Sequence, residues 1–317
     1  MKLVTFLITT YNSERWIEEC LHSVLKQTHT NLQVLIVDDG SNDNTINVIK
    51  KIDDNRIELF CKEHSGISKS LNFAMNKIKG EFVARIDSDD LCDNERIIKQ
   101  MKFMNDNPEY GIIGTNFILI DEKGTQIDKI RNPRSNNNIV DQLPRRCCIW
   151  NGSLLMRKEI LKSLHGYNEK LITAEDWDFF LRAIGLTKFY NLQEFLSTKR
   201  IHPLSISETD AAKQATKDIL FNYNNFILDN SKLKTDIAKS YFNIGYYYYY
   251  ESDFVNANKY FSKALENGGI NLQFLRYFVS AKYLNFLIKY YRKHKFYNLF
   301  NWVRFFDNAN KFMRNKY

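Results

Sequence analysis

Residues 81–90 read Glu-Phe-Val-Ala-Arg-Ile-Asp-Ser-Asp-Asp. The first six residues form a short, mostly apolar run, as in a buried parallel strand, and three carboxylates follow it at Asp87, Asp89 and Asp90. An Asp-x-Asp directly after a buried strand supplies hard oxygen ligands, which suit Mg²⁺ or Mn²⁺ bridging the phosphates of a ligand. Isolated acids at a strand end are ordinary solvated loop residues, so the interpretation depends on the surrounding sequence.

The chain before this stretch alternates between strand and helix. Short apolar runs predict strands at 3–8, 32–37, 56–61 and 81–86. Helical periodicity predicts helices capped by Ser13 and over 45–52 and 68–78. This alternation is typical of βαβ units and predicts an α/β fold with a parallel sheet covered on both faces. In such sheets, ligands bind beyond the carboxyl ends of the strands.

A second acidic segment follows another strand of the same predicted sheet. The run at 32–37 ends in Val37-Asp38-Asp39-Gly40-Ser41. Four or five carboxylates therefore converge on one edge of the sheet. Because like charges at close range repel, such a cluster needs a cation or a donor-rich ligand to offset the repulsion. This favours a binding site over ordinary loop solvation.

The rest of the chain divides into two parts. Residues 111–120 are predicted as a strand with a turn at 121–124, and the polar residues 131–146 as a loop long enough to have a function. From about residue 207 the pattern is helical to the end. We therefore expect a domain over 1–207 and a helical domain over 208–317.

Five segments occur in a characteristic order, namely Thr9-Thr10-Tyr11-Asn12, Val37 to Ser41, Gly66-Ile67-Ser68 through Asn72, Gly80 to Asp90, and Ala174-Glu175-Asp176-Trp177. In this order they resemble family 2 glycosyltransferases of the GT-A fold, over about residues 1–207. The form of residues 84–90, with Arg200-Ile201-His202 later, resembles bacterial enzymes that build lipopolysaccharide or capsule chains from UDP-sugars. The resemblance implies a Rossmann-like, nucleotide-sugar-binding mixed sheet, followed here by an all-helical region.

The resemblance also implies roles for individual residues. Tyr11 would stack on uracil, Asp39 would accept a hydrogen bond from the uracil N3–H, and Arg85 would contact phosphate. The residues expected to bind the donor are Thr9, Tyr11, Asp39, Arg85, Asp87 and Ser88. Asp89 and His202 would be the metal ligands, and an imidazole among oxygen ligands would favour Mn²⁺ somewhat over Mg²⁺.

Glu175 and Asp176 open a predicted helix that runs to about residue 184. An inverting transferase needs a carboxylate that removes the proton of the acceptor hydroxyl as its oxygen attacks the anomeric carbon. By the resemblance, Asp176 is this base and Glu175 contacts the acceptor or the backbone. The plain alternative is capping by acids at a helix start.

The expected reaction moves a hexose or N-acetylhexosamine from a UDP-sugar to a glycan or lipid-linked acceptor, forming a β-linkage. A helical adaptor with a degenerate transferase domain is the alternative, although an intact set of acids argues against it. A nucleotidyltransferase would need a Gly-rich loop with Arg after the first strand, where this chain has residues 9–12. The chain lacks a P-loop, a G-x-G-x-x-G after the first strand and a G-x-S-x-G elbow.

One segment of the helical region matches a tetratricopeptide repeat, with Tyr241-x-x-Ile244-Gly245-x-x-Tyr248 and Ala257-x-x-x-Phe261-x-x-Ala264. Its small residues would let two antiparallel helices pack closely. A single repeat cannot bury its own face, so we predict a helical hairpin packed on neighbouring helices.

The charge of the chain is concentrated at its end. The net charge is +8, but residues 270–317 hold ten Lys and Arg against one acid, Asp307, together with fifteen aromatic residues. Residues 1–269 are nearly neutral in net charge, which argues against nucleic-acid binding. A basic, aromatic helix is typical of an anchor on an anionic membrane surface, although core aromatics with a solvated charged face are an equal alternative.

Five irregularly spaced cysteines predict free thiols, and we expect a cytoplasmic enzyme on the inner face of the membrane.

Overall fold

The computed structural model describes residues 1–203, 205, 209–268 and 277–284. The chain divides into two compact units. The first comprises 1–143 and 147–217, and the second comprises 144–146 and the chain from 218 onward. The division therefore falls inside a helix, between Lys217 and Asp218. The predicted boundary at 207/208 remains a proposal, because residues 206–208 lie outside the described residues.

In the described residues, nine strands form one mixed sheet, in the order β3-β2-β1-β4-β8-β6-β9-β5, with β7 paired to β6. The strands are β1 (Val4–Thr10), β2 (Leu32–Asp38), β3 (Ile57–Cys61), β4 (Phe82–Arg85), β5 (Leu91–Cys92), β6 (Tyr110–Ile120), β7 (Gln126–Ile130), β8 (Leu155–Arg157) and β9 (Lys188–Arg200).

Ten α-helices with defined bounds lie in the described part of the chain and are distributed over the two units. They are α1 (Ile17–Leu25), α2 (Thr45–Lys50), α3 (Ile67–Ala74), α4 (Arg96–Asp106), α5 (Asn136–Gln142), α6 (Lys158–Ser163), α7 (Glu175–Ala183), α8 (Asp210–Asn230), α9 (Lys234–Tyr250) and α10 (Phe254–Glu266). Residues 277–284 are also helical.

The predicted parallel block is confirmed as β3-β2-β1-β4. Strands β2 and β4 are buried along their whole length, which explains their nearly continuous apolar sequence. Thr10 pairs with Asp38 at the ends of β1 and β2, so both strands deliver their following loops to the same edge. Beyond β4, strand β8 runs antiparallel, and this makes the sheet mixed, as the resemblance implied.

Two local expectations are wrong. Ser13 does not cap α1, because the helix begins at Ile17, while the Ser13 carbonyl accepts the N–H groups of Trp16 and Ile17. The segment 131–146 is not an uninterrupted loop, because it contains α5. Ser135 caps that helix by accepting from the N–H of Asn138.

The second unit contains the predicted helical hairpin. Helices α9 and α10 pack against each other, and Ala257, Phe261 and Ala264 are buried between them. A Cβ at Gly245 would lie 2.6 Å from the Phe261 ring, so only glycine permits this close approach. The basic tail at 270–317 lies outside the described residues, apart from 277–284. Within the described residues, no helix is both long and apolar enough to cross a bilayer.

Candidate active site

The loops after β1 and β2 are tied together at the carboxyl edge of the sheet. The side-chain oxygen of Asn12 accepts from the N–H of Asn42, and the N–H of Asn12 donates to Oγ of Ser41. Thr9 lies at the end of β1, and Tyr11 stands beyond it with 45% of its surface exposed. The Tyr11 ring therefore presents a flat, accessible face at the edge where ligands bind in such sheets.

Asp39 is a buried carboxylate surrounded by donors. It accepts from Oγ of Ser70 at 2.7 Å, from the N–H of Gly66 at 2.8 Å and from the N–H of Ser65 at 3.1 Å, and it pairs with Nζ of Lys62. Burial acts to raise the pKa of Asp39, but the hydrogen bonds from Lys62 and Ser70 outweigh it and hold that pKa below its ordinary value. Asp39 is therefore ionised and acts only as an acceptor.

The Asp-rich loop after β4 is fixed by contacts from distant segments. Oγ of Ser88 lies 2.8 Å from Oγ of Ser13, and Oδ1 of Asp90 accepts from the N–H of Arg200 at 2.9 Å. Oδ2 of Asp89 lies 2.8 Å from Nε2 of His202. Burial raises the pKa of Asp87, while the charge of Arg85 opposes that effect. The predicted metal ligands Asp89 and His202 are thus in contact.

Arg85 does not occupy the position expected for a phosphate ligand. Its side chain is completely buried, and its guanidinium donates to the carbonyl of Leu7 at 2.6 Å and to Oδ1 of Asp87 at 2.9 Å. A buried guanidinium presents no surface to a bound phosphate. The arrangement instead makes Arg85 the partner that holds Asp87, because β4 is covered on both faces and every one of its side chains is buried.

A divalent ion fits the pair Asp89 and His202. The two side-chain atoms are 2.8 Å apart and share a hydrogen bond, and an imidazole nitrogen beside a carboxylate oxygen is a donor pair that a divalent ion can take in place of the shared proton. Among the described residues, no group of three or more His, Cys, Asp or Glu side chains is arranged around one point. Ions that bridge phosphates are commonly held by one or two protein ligands, with substrate oxygens and water completing the shell.

Glu175 and Asp176 form the first turn of α7. Ala174 precedes them in the left-handed conformation, and the indole N–H of Trp177 donates to the carbonyl of Leu143 at 2.7 Å, which anchors the helix start. Burial raises the pKa of Glu175 to about 8, and the neighbouring charge of Asp176 adds to this effect. Burial likewise raises the pKa of Asp176 to about 6.

The predicted residues come together in the first unit. The negative charge of Asp87 contributes to the raised pKa of both Glu175 and Asp176, so the start of α7 faces the loop after β4. Five of the six expected donor residues lie at this edge of the sheet, namely Thr9, Tyr11, Asp39, Asp87 and Ser88, and the sixth, Arg85, lies beneath it. The roles of these residues remain proposals.

Two residues at this edge were not singled out from the sequence. The His64 ring lies 4.3 Å from that of Tyr11, and Lys62 pairs with Asp39. Both residues follow β3, so their place at the carboxyl end of a predicted strand was the available signal. Arg200 donates from Nε to the carbonyl of Asp89 at 3.1 Å, a contact that no local pattern indicates.

Comparison with known proteins shows which family the chain belongs to. Residues 5–164 match the family model described as "Glycosyl transferase family 2". The chain is 30% identical over 233 residues to the Bacillus subtilis protein EpsE, which carries a provisional glycosyltransferase name, with 71% of this chain and 80% of that one covered. It is 27% identical over 220 residues to the O-antigen biosynthesis glycosyltransferase WbnJ of Escherichia coli, with 67% and 85% covered.

An uncharacterised glycosyltransferase of Rickettsia felis is 32% identical over 209 residues. The match covers 63% of this chain and 34% of that protein, so this chain spans about a third of that relative.

Solved structures share the fold. The TarS fragment 1–349 of S. aureus in complex with UDP-GlcNAc has a TM-score of 0.57 at 19% identity, covering 94% of this chain and 93% of that one. The mannosyltransferase PcManGT of Pyrobaculum calidifontis, in complex with GDP-Man and Mn²⁺, has a TM-score of 0.59 at 18% identity, covering 92% and 82%. The chain therefore belongs to glycosyl transferase family 2 and is a glycosyltransferase with the GT-A fold.

Proposed function

We propose that this chain is an inverting, metal-dependent enzyme that moves a hexose or N-acetylhexosamine from a UDP-sugar to a sugar hydroxyl of a glycan or lipid-linked acceptor. The enzyme would act in bacterial surface polysaccharide synthesis, a proposal supported by the name of the relative WbnJ, which refers to O-antigen biosynthesis. The observation that carries the proposal is the meeting of two carboxylate sets at one edge of the sheet. The set at 87–90 suits a diphosphate with its ion, and the set at 175–176 suits an acceptor hydroxyl.

The donor's base would bind near Tyr11 and Asp39. The exposed Tyr11 ring offers a stacking face, and the lowered pKa of Asp39 keeps an acceptor available for the N3–H of uracil. The TarS fragment binds UDP-GlcNAc, which supports a uridine donor, whereas PcManGT binds GDP-Man. The choice of base is therefore a point for experiment.

Asp89 and His202 would hold Mn²⁺ or Mg²⁺. When bound, such an ion supplies charge stabilisation to the leaving diphosphate. Arg85 would keep Asp87 oriented from below, since its guanidinium donates to that carboxylate. Arg200 would fix the loop itself, because it donates to the carbonyl of Asp89 and to the side chain of Asp90.

Asp176 would be the general base. With the pKa of Glu175 raised to about 8 and that of Asp176 raised to about 6, Glu175 keeps a proton near neutral pH while Asp176 is ionised. Neighbouring carboxyls with separated pKa values are a usual way to assign acid and base roles. Asp176 takes the proton of the acceptor hydroxyl as its oxygen bonds to the anomeric carbon. The bond from that carbon to the phosphate oxygen breaks, which inverts the centre and gives a β-linkage from an α-linked donor.

The test is a donor screen. We would measure nucleotide release with MnCl₂ and a panel of acceptor sugars, using UDP-Glc, UDP-Gal, UDP-GlcNAc and UDP-GalNAc, with GDP-Man as the contrast. We expect acceptor-dependent UDP release with one or more UDP-sugars. Turnover with GDP-Man alone would contradict the uridine assignment. The same donors would also be tested for a shift in the melting temperature of the protein. If neither the UDP-sugars nor GDP-Man shifted it, the result would favour an adaptor with a degenerate transferase domain.

Residues 270–317 would hold the enzyme on an anionic membrane surface, a proposal that rests on the sequence alone. Each basic residue near such a surface contributes about 1 kcal/mol. Replacing Lys289, Arg292, Lys293 and Lys295 by Gln in the full chain should weaken binding to phosphatidylserine vesicles, measured by sedimentation. Unchanged vesicle binding would contradict the proposal.

A further inference from the structure

The imidazole of His202 lacks a hydrogen bond that metal-binding histidines usually have. Its Nε2 lies 2.8 Å from Asp89, but its Nδ1 is buried and has no hydrogen-bond partner among the described residues. In metal-ligating histidines, the second ring nitrogen almost always donates to a carbonyl, carboxylate or water, and this bond fixes the orientation of the ring. Among the described residues, no hydrogen bond at Nδ1 fixes the plane of His202.

Trp16 lies against the His202 ring. The two ring centroids are 4.0 Å apart and the planes are inclined by 28°, which is a stacked arrangement. Both side chains are buried, with 6% of Trp16 and 7% of His202 exposed. The guanidinium of Arg15 lies over the indole, 4.9 Å from the ring centroid. The imidazole therefore packs against the face of the Trp16 indole.

Trp16 itself has little freedom to move. Its N–H donates to the carbonyl of Ser13 at 3.1 Å, and its carbonyl accepts from the N–H of Cys20 at 3.0 Å, so its backbone is part of the start of α1. The same helix is tied to the end of β9, where Nη2 of Arg200 pairs with Glu19. An ion pair thus joins helix α1 to the β9 end that precedes His202.

We infer that Trp16 is a positioning residue for the metal ligand His202. Its stacked indole takes the place of the missing hydrogen bond and holds the imidazole plane so that Nε2 faces the same point as Oδ2 of Asp89. Trp16 touches neither the ion nor the donor in this scheme. The inference rests on the proposed metal role of His202, and its test separates the two claims.

The test measures Mn²⁺ affinity by electron paramagnetic resonance, with MnCl₂ and saturating UDP. W16L removes the stacking surface and keeps an apolar side chain, and we expect Mn²⁺ binding to weaken about 10- to 100-fold, the usual effect of losing an outer-shell partner. W16F keeps an aromatic face and should retain affinity within about 3-fold of the wild type. H202A, which removes the ligand, should weaken binding at least as much as W16L.

F103L is the matched control. Phe103 stacks on Tyr190 with centroids 4.2 Å apart and planes inclined by 23°, so this variant also loses one aromatic stack in the first unit. We expect it to lower the melting temperature about as much as W16L does, with Mn²⁺ affinity unchanged. The comparison separates loss of ring positioning from general loss of stability.

The outcomes distinguish the claims. If H202A binds Mn²⁺ as tightly as the wild type, the metal role of His202 fails, and this inference fails with it. If H202A weakens binding but W16L behaves like F103L, only the role of Trp16 is overturned.

A second measurement does not depend on whether W16L folds. The difference in tryptophan fluorescence between the wild type and W16F is the emission of Trp16, and this difference should fall as Mn²⁺ binds beside the Trp16 ring. An unchanged difference at saturation would overturn the inference.

Discussion

The backbone N–H of Arg200 donates to Oδ1 of Asp90 at 2.9 Å, which joins the end of β9 to the loop after β4 across 110 residues of sequence. Asp90 is almost completely buried, and burial, together with the charges of Asp89 and Asp87, raises its pKa well above the ordinary value. The Asp90 carboxyl therefore stabilises the fold as a hydrogen-bond acceptor, whereas its negative charge destabilises the folded state.

Substitutions of Asp90 should separate these two properties. D90N keeps an oxygen that can accept from Arg200 and removes the charge, so we expect stability at pH 7 to be unchanged or higher. D90A loses the acceptor and leaves a buried N–H unpaired, which should cost about 1–3 kcal/mol. Urea denaturation of both variants would check this. Equal destabilisation by the two would show that the hydrogen bond is not what Asp90 supplies.

Glu175 should make the stability of the protein depend on pH. Burial raises its pKa from 4.5 to about 8, so the folded state favours the protonated form. That contribution is fully present below about pH 4.5 and is lost as the pH rises toward 8. E175Q removes this loss and should be more stable than the wild type at pH 8.5 by about 1–3 kcal/mol, with a smaller difference at pH 5. A difference that does not change with pH would be inconsistent with a raised pKa.

Asp39 should matter for nucleotide binding. D39N removes the negative charge that pairs with Lys62. It also replaces one of the two acceptor oxygens of the carboxylate by an NH₂ group, which is a donor. We expect UDP to bind about tenfold more weakly or worse, because a hydrogen bond to a charged group contributes about 1.5–3 kcal/mol. Isothermal titration calorimetry would measure this. E58Q, which breaks the surface pair with Lys79, is the control and should bind UDP normally; equal affinities for both variants would exclude Asp39 from the base site.

Gly245 should be required for the packing of α9 on α10. G245A places a Cβ against the Phe261 ring, and overpacking of this kind costs about 1–3 kcal/mol, more than the gain of about 1 kcal/mol in helix propensity. The double variant G245A/F261L should recover part of the loss, since the smaller side chain makes room. Thermal denaturation of the wild type, the two single variants G245A and F261L, and the double variant would check this. If the losses of stability in the single variants simply added in the double variant, the two residues would not compete for space.

The sequence predicted the parallel block because β1, β2 and β4 are short apolar runs, and local pattern alone reveals such runs. It missed α5, because only Ile139 of that helix is buried and its first residues are asparagines. The resemblance also implied that Arg85 would contact phosphate, whereas its side chain is buried because β4 is covered on both faces. The contacts of His202 with Asp89 and Trp16 join distant segments, and only the folded chain brings them together.

The base assignment predicts a pH profile. Since burial raises the pKa of Asp176 to about 6, transfer should fall as the pH drops through that value, because protonated Asp176 cannot accept the hydroxyl proton. Measuring kcat/KM for the acceptor between pH 5 and 8 would show this limb.

Asp176 as the base is tested by comparing D176N with the wild type in both UDP binding and sugar transfer, with MnCl₂ present. Asn has the same shape as Asp and cannot act as the base, so we expect unchanged UDP affinity and a loss of transfer of about 10²–10⁴-fold. Transfer at the wild-type rate by D176N that still binds UDP would contradict the assignment of Asp176 as the catalytic base.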